Sequence, residues 1–288
     1  MDTKELLKKI RYLEIKAKGL TRHIFSGEYH SAFKGRGMTF SEVRDYHFGD
    51  EVRTIDWNVT ARFNEPYVKV FDEEREISVM LIIDVSGSED FGTQEKTKKD
   101  LALELTAVLA FSAISNNDKV GAIFVSDKIE RYIAPGKGRK HALLILREFI
   151  EMKPDNPGTN LNEAFKFFRN TQKKRSIAFV ISDFMDEHDF IEGLKVSRKK
   201  HDMVAIRLFD QTEEVLPSVG IVQLFNAETG ETTWVNSNSS QAKQTHADNF
   251  KNFETKLFKE FKKSGIDYAS ISTEGDYIRP LVNLFQNR

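Results

Sequence analysis

The chain changes rhythm twice. Between residues 4 and 18, Leu6, Leu7, Ile10, Leu13 and Ile15–Ala17 recur at helical spacing with lysines between them, and Gly19 is placed to end the helix. From Gly27 to about Glu65 no period holds. Glycine, arginine and aromatic residues mix with two acidic-basic clusters, SEVRDYHFGDE and RTIDWNVTAR, which predicts extended or loop-like chain with short elements. Then YVKVFDEE (67–74) alternates like an edge strand, and ISVMLIID (77–84) is a continuous apolar run, the pattern of a strand buried on both faces.

Beyond residue 84 strands and helices take turns. A long helix is predicted at about 94–115, with Leu101, Leu105, Val108 and Leu109 on one stripe, then a strand at 119–126 and a short strand pair ending near Ile133. A helix at about 139–151 precedes another that starts at Asn160, a capping residue with Glu163 three positions on. Strands at 176–183 and 202–209 flank a helix at about 187–200. GIVQLFN and TTWVN resemble a β-ribbon around the turn AETGE; a long polar helix (about 239–263), a strand (267–273) and a terminal helix (about 276–286) follow. This alternation predicts an α/β fold, an open, mostly parallel sheet with helices on both faces. The expected organisation is a segment of residues 1–75 packed on a domain of residues 76–288, without internal repeat or low-complexity linker.

Composition narrows the function more than the fold. The 288 residues are 40% hydrophobic and 30% charged, enough for one large soluble domain or two small ones. Formal net charge is −1, and the Arg-rich look of residues 1–76 is balanced, 7 Lys and 7 Arg against 5 Asp and 9 Glu. Nucleic acid is therefore not an expected partner. The absence of cysteine excludes disulfides, thiolate catalysis and thiolate metal sites. No stretch approaches the ~20 apolar residues of a membrane span, so no integral membrane segment is expected. The expected location is cytoplasmic, with any attachment to the inner membrane made through partners.

Candidate chemistry lies at strand ends. In an open α/β sheet ligands bind at the carboxyl ends of the strands, and Asp84 and Asp183 each stand where a buried apolar run stops. On extended chain alternate residues share a face, so Asp84, Ser86 and Ser88 point together. Thr159, in the turn NPGTNL just before a helix, is placed to join the same rim. Two carboxylates and three hydroxyls are hard oxygen donors, which suits Mg²⁺ or Mn²⁺.

Other readings of these residues are weaker. A nucleophilic Ser86 needs G-x-S-x-G, and the segment reads D-V-S-G-S; no histidine has a context marking it as the activating base. Ser86 also stands where a D-x-D phosphatase has its second carboxylate. APGKGRKH (134–141) lacks the phosphate-loop spacing and reads as a solvated turn. In GDEVRTIDW, Asp50, Arg53, Asp56 and Arg62 fit an ion-pair network with Trp57 as buried anchor, and Phe40, Tyr46 and Phe48 adding apolar contacts. They also fit a partner-binding surface. The structural role is the better supported, because irregular chain needs side-chain partners for its backbone groups.

The order DVSGS…GTN…ISD resembles the metal-ion-dependent adhesion site, or MIDAS, of von Willebrand factor type A domains. The resemblance implies that Ser86, Ser88 and Thr159 ligate the metal directly, and that Asp84 and Asp183 act largely through water. The stretch YHSAFKGRGMTFSEVRDYHFGDEVRTIDWNVTARFNEPYVKVFDEEREISVMLIIDVSGS, with the pattern continuing to about residue 210, is similar to the DUF58 family, von Willebrand-like proteins usually encoded beside MoxR-type AAA+ ATPases. It implies a non-enzymatic interaction module, an adaptor or co-chaperone, whose metal takes a Glu or Asp from a MoxR-type ATPase or another protein. A metal-dependent hydrolase or phosphotransferase at the same rim, and a purely structural protein, are the competing classes.

Overall fold

The computed structural model describes residues 10–17, 39–72, 77–92, 96–156, 158–186, 188–225 and 232–286. The chain divides into two compact units, one of Phe33–Ile77 and one of Met1–Ala32 together with Ser78–Arg288. The expected boundary near residue 75 therefore falls close to Ser78, but the N-terminal helix does not go with the segment that follows it. Residues 10–17 (helix α1) belong with the sheet, burying Ile10, Leu13 and Ala17. Glu14 there takes a two-pronged bond from Arg139 at 2.5 and 2.6 Å, and Lys16 reaches Glu104 at 2.7 Å. The start of the helix expected over residues 4–18, and Gly19 as its stop, lie outside the described residues.

The Phe33–Ile77 unit is more regular than its sequence suggests. Strand β1 (Thr39–Asp45) pairs antiparallel with β2 (Tyr67–Asp72), with a slip in register between Phe40 and Glu42. Between them lie a 3-10 turn (Val52–Thr54) and helix α2 (Trp57–Phe63). Asp56 caps α2 by accepting from Asn58 N and Val59 N, and Asn64 ends it in the left-handed conformation. The expected charge network is only partly present. Asp50 is gripped by Arg44 at 2.7 and 2.8 Å, Asp56 lies 3.5 Å from Lys69, and Arg53 and Arg62 form no ion pair among the described residues. Trp57 is not a buried anchor: it is 64% exposed on a helix with no buried residue, and Phe48 is fully exposed. Tyr46 is half-buried. Val68 of β2 is buried in their place, and the side chain of Phe40 lies outside the described residues.

The second unit is the expected α/β sheet. Its order is β10-β7-β6-β3-β4-β5, formed by β3 (Ser78–Asp84), β4 (Lys119–Val125), β5 (Ile129–Gly136), β6 (Ile177–Ser182), β7 (Asp202–Phe209) and β10 (Asp267–Ser272). All pairs are parallel except β4–β5, so the expected short strand pair is one antiparallel edge strand. The central strands read as unbroken apolar runs because both of their faces are covered; all of β6 is buried.

Side-chain alternation sorts the layers. Met80, Ile82, Ala178 and Val180 face helices α5 (Leu161–Thr171), α6 (Ile191–Arg198) and α8 (Ser240–Lys263) through Phe165, Phe168, Leu194 and Phe261. On the opposite parity Phe124 meets Phe149 of α4 (Arg139–Glu151), and Phe179 meets Phe285 of α9 (Ile278–Gln286). Each such aromatic removed from water contributes about 1.5–3 kcal/mol. Helix α3 (Lys98–Ser115), expected to be one-sided, has thirteen of its eighteen residues buried, because it packs on the sheet and on α4 together. After β7 come the single turn α7 (Gln211–Glu214) and the hairpin β8 (Ile221–Phe225) with β9 (Thr232–Asn236), the expected ribbon; its turn lies outside the described residues.

The chain runs from β3 outward to β4 and β5, then returns to place β6 on the other flank of β3. The carboxyl ends of β3 and β6 are therefore the switch point of the sheet, where such folds bind ligands.

Candidate metal centre

Asp84 ends β3 and Ser182 ends β6, and the two strands are in register at Ile83 and Ile181. The next pair therefore meets directly: the Ser182 hydroxyl donates to Asp84 Oδ2 at 2.6 Å. The other oxygen, Oδ1, accepts from Ser86 N at 2.9 Å, closing a turn that starts the 3-10 helix Gly87–Asp90. That turn brings the Ser86 and Ser88 hydroxyls within 3.1 Å of each other. Burial, and next the nearby charge of Asp183, push the Asp84 carboxyl up to about 7.

Asp183 follows β6 on the opposite parity and so turns toward the α3 layer. There its Oδ2 accepts from Lys98 Nζ at 2.6 Å, while Oδ1 accepts from Met185 N at 2.9 Å and the Ser88 hydroxyl adds a further bond. Burial raises the Asp183 carboxyl, but the Lys98 ammonium outweighs it and holds the group below the ordinary carboxylate range. Lys98 is itself buried and bridges to Glu213 Oε1 of α7 at 2.9 Å. Desolvation would lower its pKa; Asp183, Glu89 and Glu213 together hold it well above the usual value.

Glu89 completes the cluster. It is 1% exposed, its Oε1 accepts from Asp183 N at 3.2 Å, and its Oε2 has no hydrogen-bond partner. Oxygens of Asp84, Glu89 and Asp183 all lie within 4.8 Å of one another. Burial and the Asp183 charge push the Glu89 carboxyl well above its normal range.

Four of the five expected residues, Asp84, Ser86, Ser88 and Asp183, are thus joined by direct bonds. Thr159 is buried at the same rim: the next residue, Asn160, donates its N–H to Ser126 O just past β4, and Thr159 O lies 3.2 Å from His188 Nδ1 in the loop after β6. Asp186 holds this turn in place. Its carboxylate accepts from Leu161 N, the first residue of α5, at 2.7 Å and from His188 N at 2.8 Å. Asn160 caps α5 as expected, accepting from Glu163 N at 3.2 Å.

Sequence reasoning missed Glu89, Lys98, Ser182, Asp186 and Glu213. Only Ser182 carried a usable signal, as the last residue of an apolar strand next to an aspartate. Phe184 is a further surprise. It holds a left-handed backbone (φ 60) directly after Asp183, kept there by a ring buried against Phe190 and Phe261, with its N–H donated to Ser182 Oγ.

An open sheet with its first strand central, an antiparallel edge strand and D-x-S-x-S at the switch point defines a von Willebrand factor A-like α/β protein. The chain belongs to the DUF58 family: residues 42–255 match the family described as "Protein of unknown function DUF58". It is 31% identical over 232 residues to uncharacterized protein Mb1516 of Mycobacterium bovis, covering 80% of this chain and 73% of that protein. Uncharacterized protein Rv1480 of Mycobacterium tuberculosis matches with the same figures. Similar solved structures include the conserved hypothetical protein BatB of Bacteroides thetaiotaomicron (17% identity, 73% of this chain and 98% of that one, TM-score 0.46). An aerotolerance-related membrane protein of Bacteroides fragilis gives 16% identity, 73% and 97% coverage and a TM-score of 0.49. Among the described residues of the present chain, no helix is long and apolar enough to cross a membrane.

Proposed function

We propose that the protein is a non-enzymatic interaction module in which a divalent ion at the strand-end rim recognises a carboxylate of a partner protein. The observation that carries this reading is the cluster of buried carboxylates Asp84, Glu89 and Asp183, in which Glu89 Oε2 is buried without a partner. A buried carboxylate oxygen without a donor is costly unless it takes up a proton or a cation meets it, and a divalent ion can displace that proton. The donors present are all oxygens, so the residues fit Mg²⁺ or Mn²⁺. Asp84, Ser86, Ser88, Thr159 and Asp183 would hold the ion, and the ion would supply an electrophilic centre open to an incoming Glu or Asp. Ser182 orients Asp84, and Asp186 sets the turn that carries Thr159. The family resemblance points to a MoxR-type AAA+ ATPase as the partner and to an adaptor or co-chaperone role.

The test is calorimetric titration of the protein with a MoxR-type ATPase from the same organism, with Mg²⁺ and with EDTA, folding being checked by circular dichroism. Binding should fall at least thirtyfold when the metal is removed, the low end of the roughly 2–5 kcal/mol that losing a buried charge partner costs, and should fall sharply in Asp84→Ala and Ser86→Ala. Equal affinity in Mg²⁺ and EDTA would remove the rim as the recognition element.

One observation favours a metal-dependent hydrolase instead. The imidazole Nδ1 of His188 lies 2.9 Å from Asp186 Oδ1, an oriented carboxylate–histidine pair of the kind that serves general-base chemistry. Mn²⁺-dependent hydrolysis of a nitrophenyl phosphate or ester, lost in His188→Gln, would select that reading.

A further inference from the structure

In the water-mediated role implied by the resemblance, Asp183 faces the ion's waters, and in this protein one of its oxygens already faces a cation. Oδ1 accepts from Met185 N, and Oδ2 accepts from an ammonium at 2.6 Å. That ammonium, Lys98, is as buried as the carboxylates around it and also contacts Glu213 at 2.9 Å. It starts helix α3, where Thr97 forms a capping box with Asp100, so its backbone is fixed and its side chain reaches Asp183 just past β6. Glu89, in the same cluster, presents the reverse situation: one oxygen is held by Asp183 N and the other is buried with no donor. Asp84 is steered by Ser86 N and Ser182, and each of its oxygens keeps a further lone pair.

We infer that this is a lysine-compensated metal site: Lys98 is a resident cation that takes up Asp183 and Glu213, and the divalent ion is held by Asp84, Ser86, Ser88 and Thr159, with Glu89 in the place the motif gives to Asp183. The inference rests on the metal reading proposed above and assigns three residues that the sequence motif does not contain. Two consequences follow from having a cation that cannot leave. The metal-free rim retains one fixed positive charge among its carboxylates, so the fold does not require the divalent ion. The same charge repels an arriving divalent cation, so the ion binds weakly and exchanges readily.

The experiment uses the full chain and Mn²⁺ as probe, with free Mn²⁺ counted by electron paramagnetic resonance and melting followed with and without EDTA. Wild type should bind Mn²⁺ and melt within a few degrees either way. Glu89→Gln should bind Mn²⁺ roughly tenfold or more weakly, and Lys98→Met roughly tenfold or more tightly, each a change of at least about 1.4 kcal/mol. Lys98→Met should also melt far lower in EDTA than in Mn²⁺. If Lys98→Met does not fold without metal, that outcome supports the inference, and Lys98→Gln purified in Mn²⁺ supplies the affinity. Wild-type binding with both variants unchanged would overturn the lysine-compensated arrangement while leaving the metal reading standing. No Mn²⁺ binding by any of the proteins at millimolar concentration would overturn both.

Discussion

Replacing Asp186 by alanine should damage stability and metal binding together, although the residue belongs to no metal motif. Its carboxylate has no exposed surface and spends its two oxygens on Leu161 N at 2.7 Å, His188 N at 2.8 Å and His188 Nδ1 at 2.9 Å. Leu161 is fully buried, so its N–H would be left without a partner, whereas the amide of exposed His188 can turn to water. A hydrogen bond to a charged acceptor is worth about 1.5–3 kcal/mol, and a carboxylate at a helix N-terminus adds about 0.3–1 kcal/mol. The expected loss is therefore roughly 2–4 kcal/mol, or about 4–16 °C in melting temperature for a unit of this size. Because the same bond fixes the turn before α5, Thr159 should loosen and Mn²⁺ affinity should fall. Asp186→Asn keeps one acceptor oxygen without the charge and should lose about half as much. Calorimetric melting of the three proteins, with Mn²⁺ titrations on each, decides the matter. A melting temperature for Asp186→Ala within a degree of wild type would refute the claim that this carboxylate holds the turn. Unchanged Mn²⁺ affinity would refute the claim that the turn serves the site.

Away from the rim, His201 is buried against Phe168 with its Nδ1 on Ser176, and burial pulls its pKa down to about 4. The unfolded chain takes up this proton near pH 6.5 and the folded one only near 4, so stability should be lost as pH falls through that window; urea midpoints of His201→Gln should show a shallower decline. Gly121 sits where a Cβ would come 2.7 Å from Ile133 O and 2.8 Å from Met80 Sδ. Backbone cannot yield there, so Gly121→Ala should destabilise by about 1–3 kcal/mol in denaturant titration; a neutral result would mean that the β4–β5 pair slides freely.

The central strands were legible because a strand covered on both faces needs no alternation: the runs at 77–84, 176–183 and 202–209 coincide with β3, β6 and β7. Strand β1 was not, because TFSEVRD has neither an apolar run nor a clean period of two and is recognisable only beside β2. Ser86, Ser88 and Asp183 could be read because strand geometry carries them to one rim. Lys98 could not: among the lysines of EKTKKD it looks like any solvated helix start, and what buries it is a carboxylate 85 residues away. Phe184 defeats local reasoning for another reason, since phenylalanine carries no preference for positive φ and only its aromatic neighbours hold it there.

The placement of β3 between β4 and β6 also sets the order in which the protein can be made. Asp84 and its partner Ser182 are 98 residues apart, so at synthesis rates of about 5–20 residues per second β3 waits roughly 5–20 s for the strand on its far side. During that time β4 is the one strand of the sheet that can pair with β3, and the apolar run Val79–Ile83 presents an unpaired edge on its other side. The residues that build the rim are thus split between the earliest and the middle part of the sheet. A slow step in folding should be the docking of β6, and chains truncated before residue 177 should aggregate through β3.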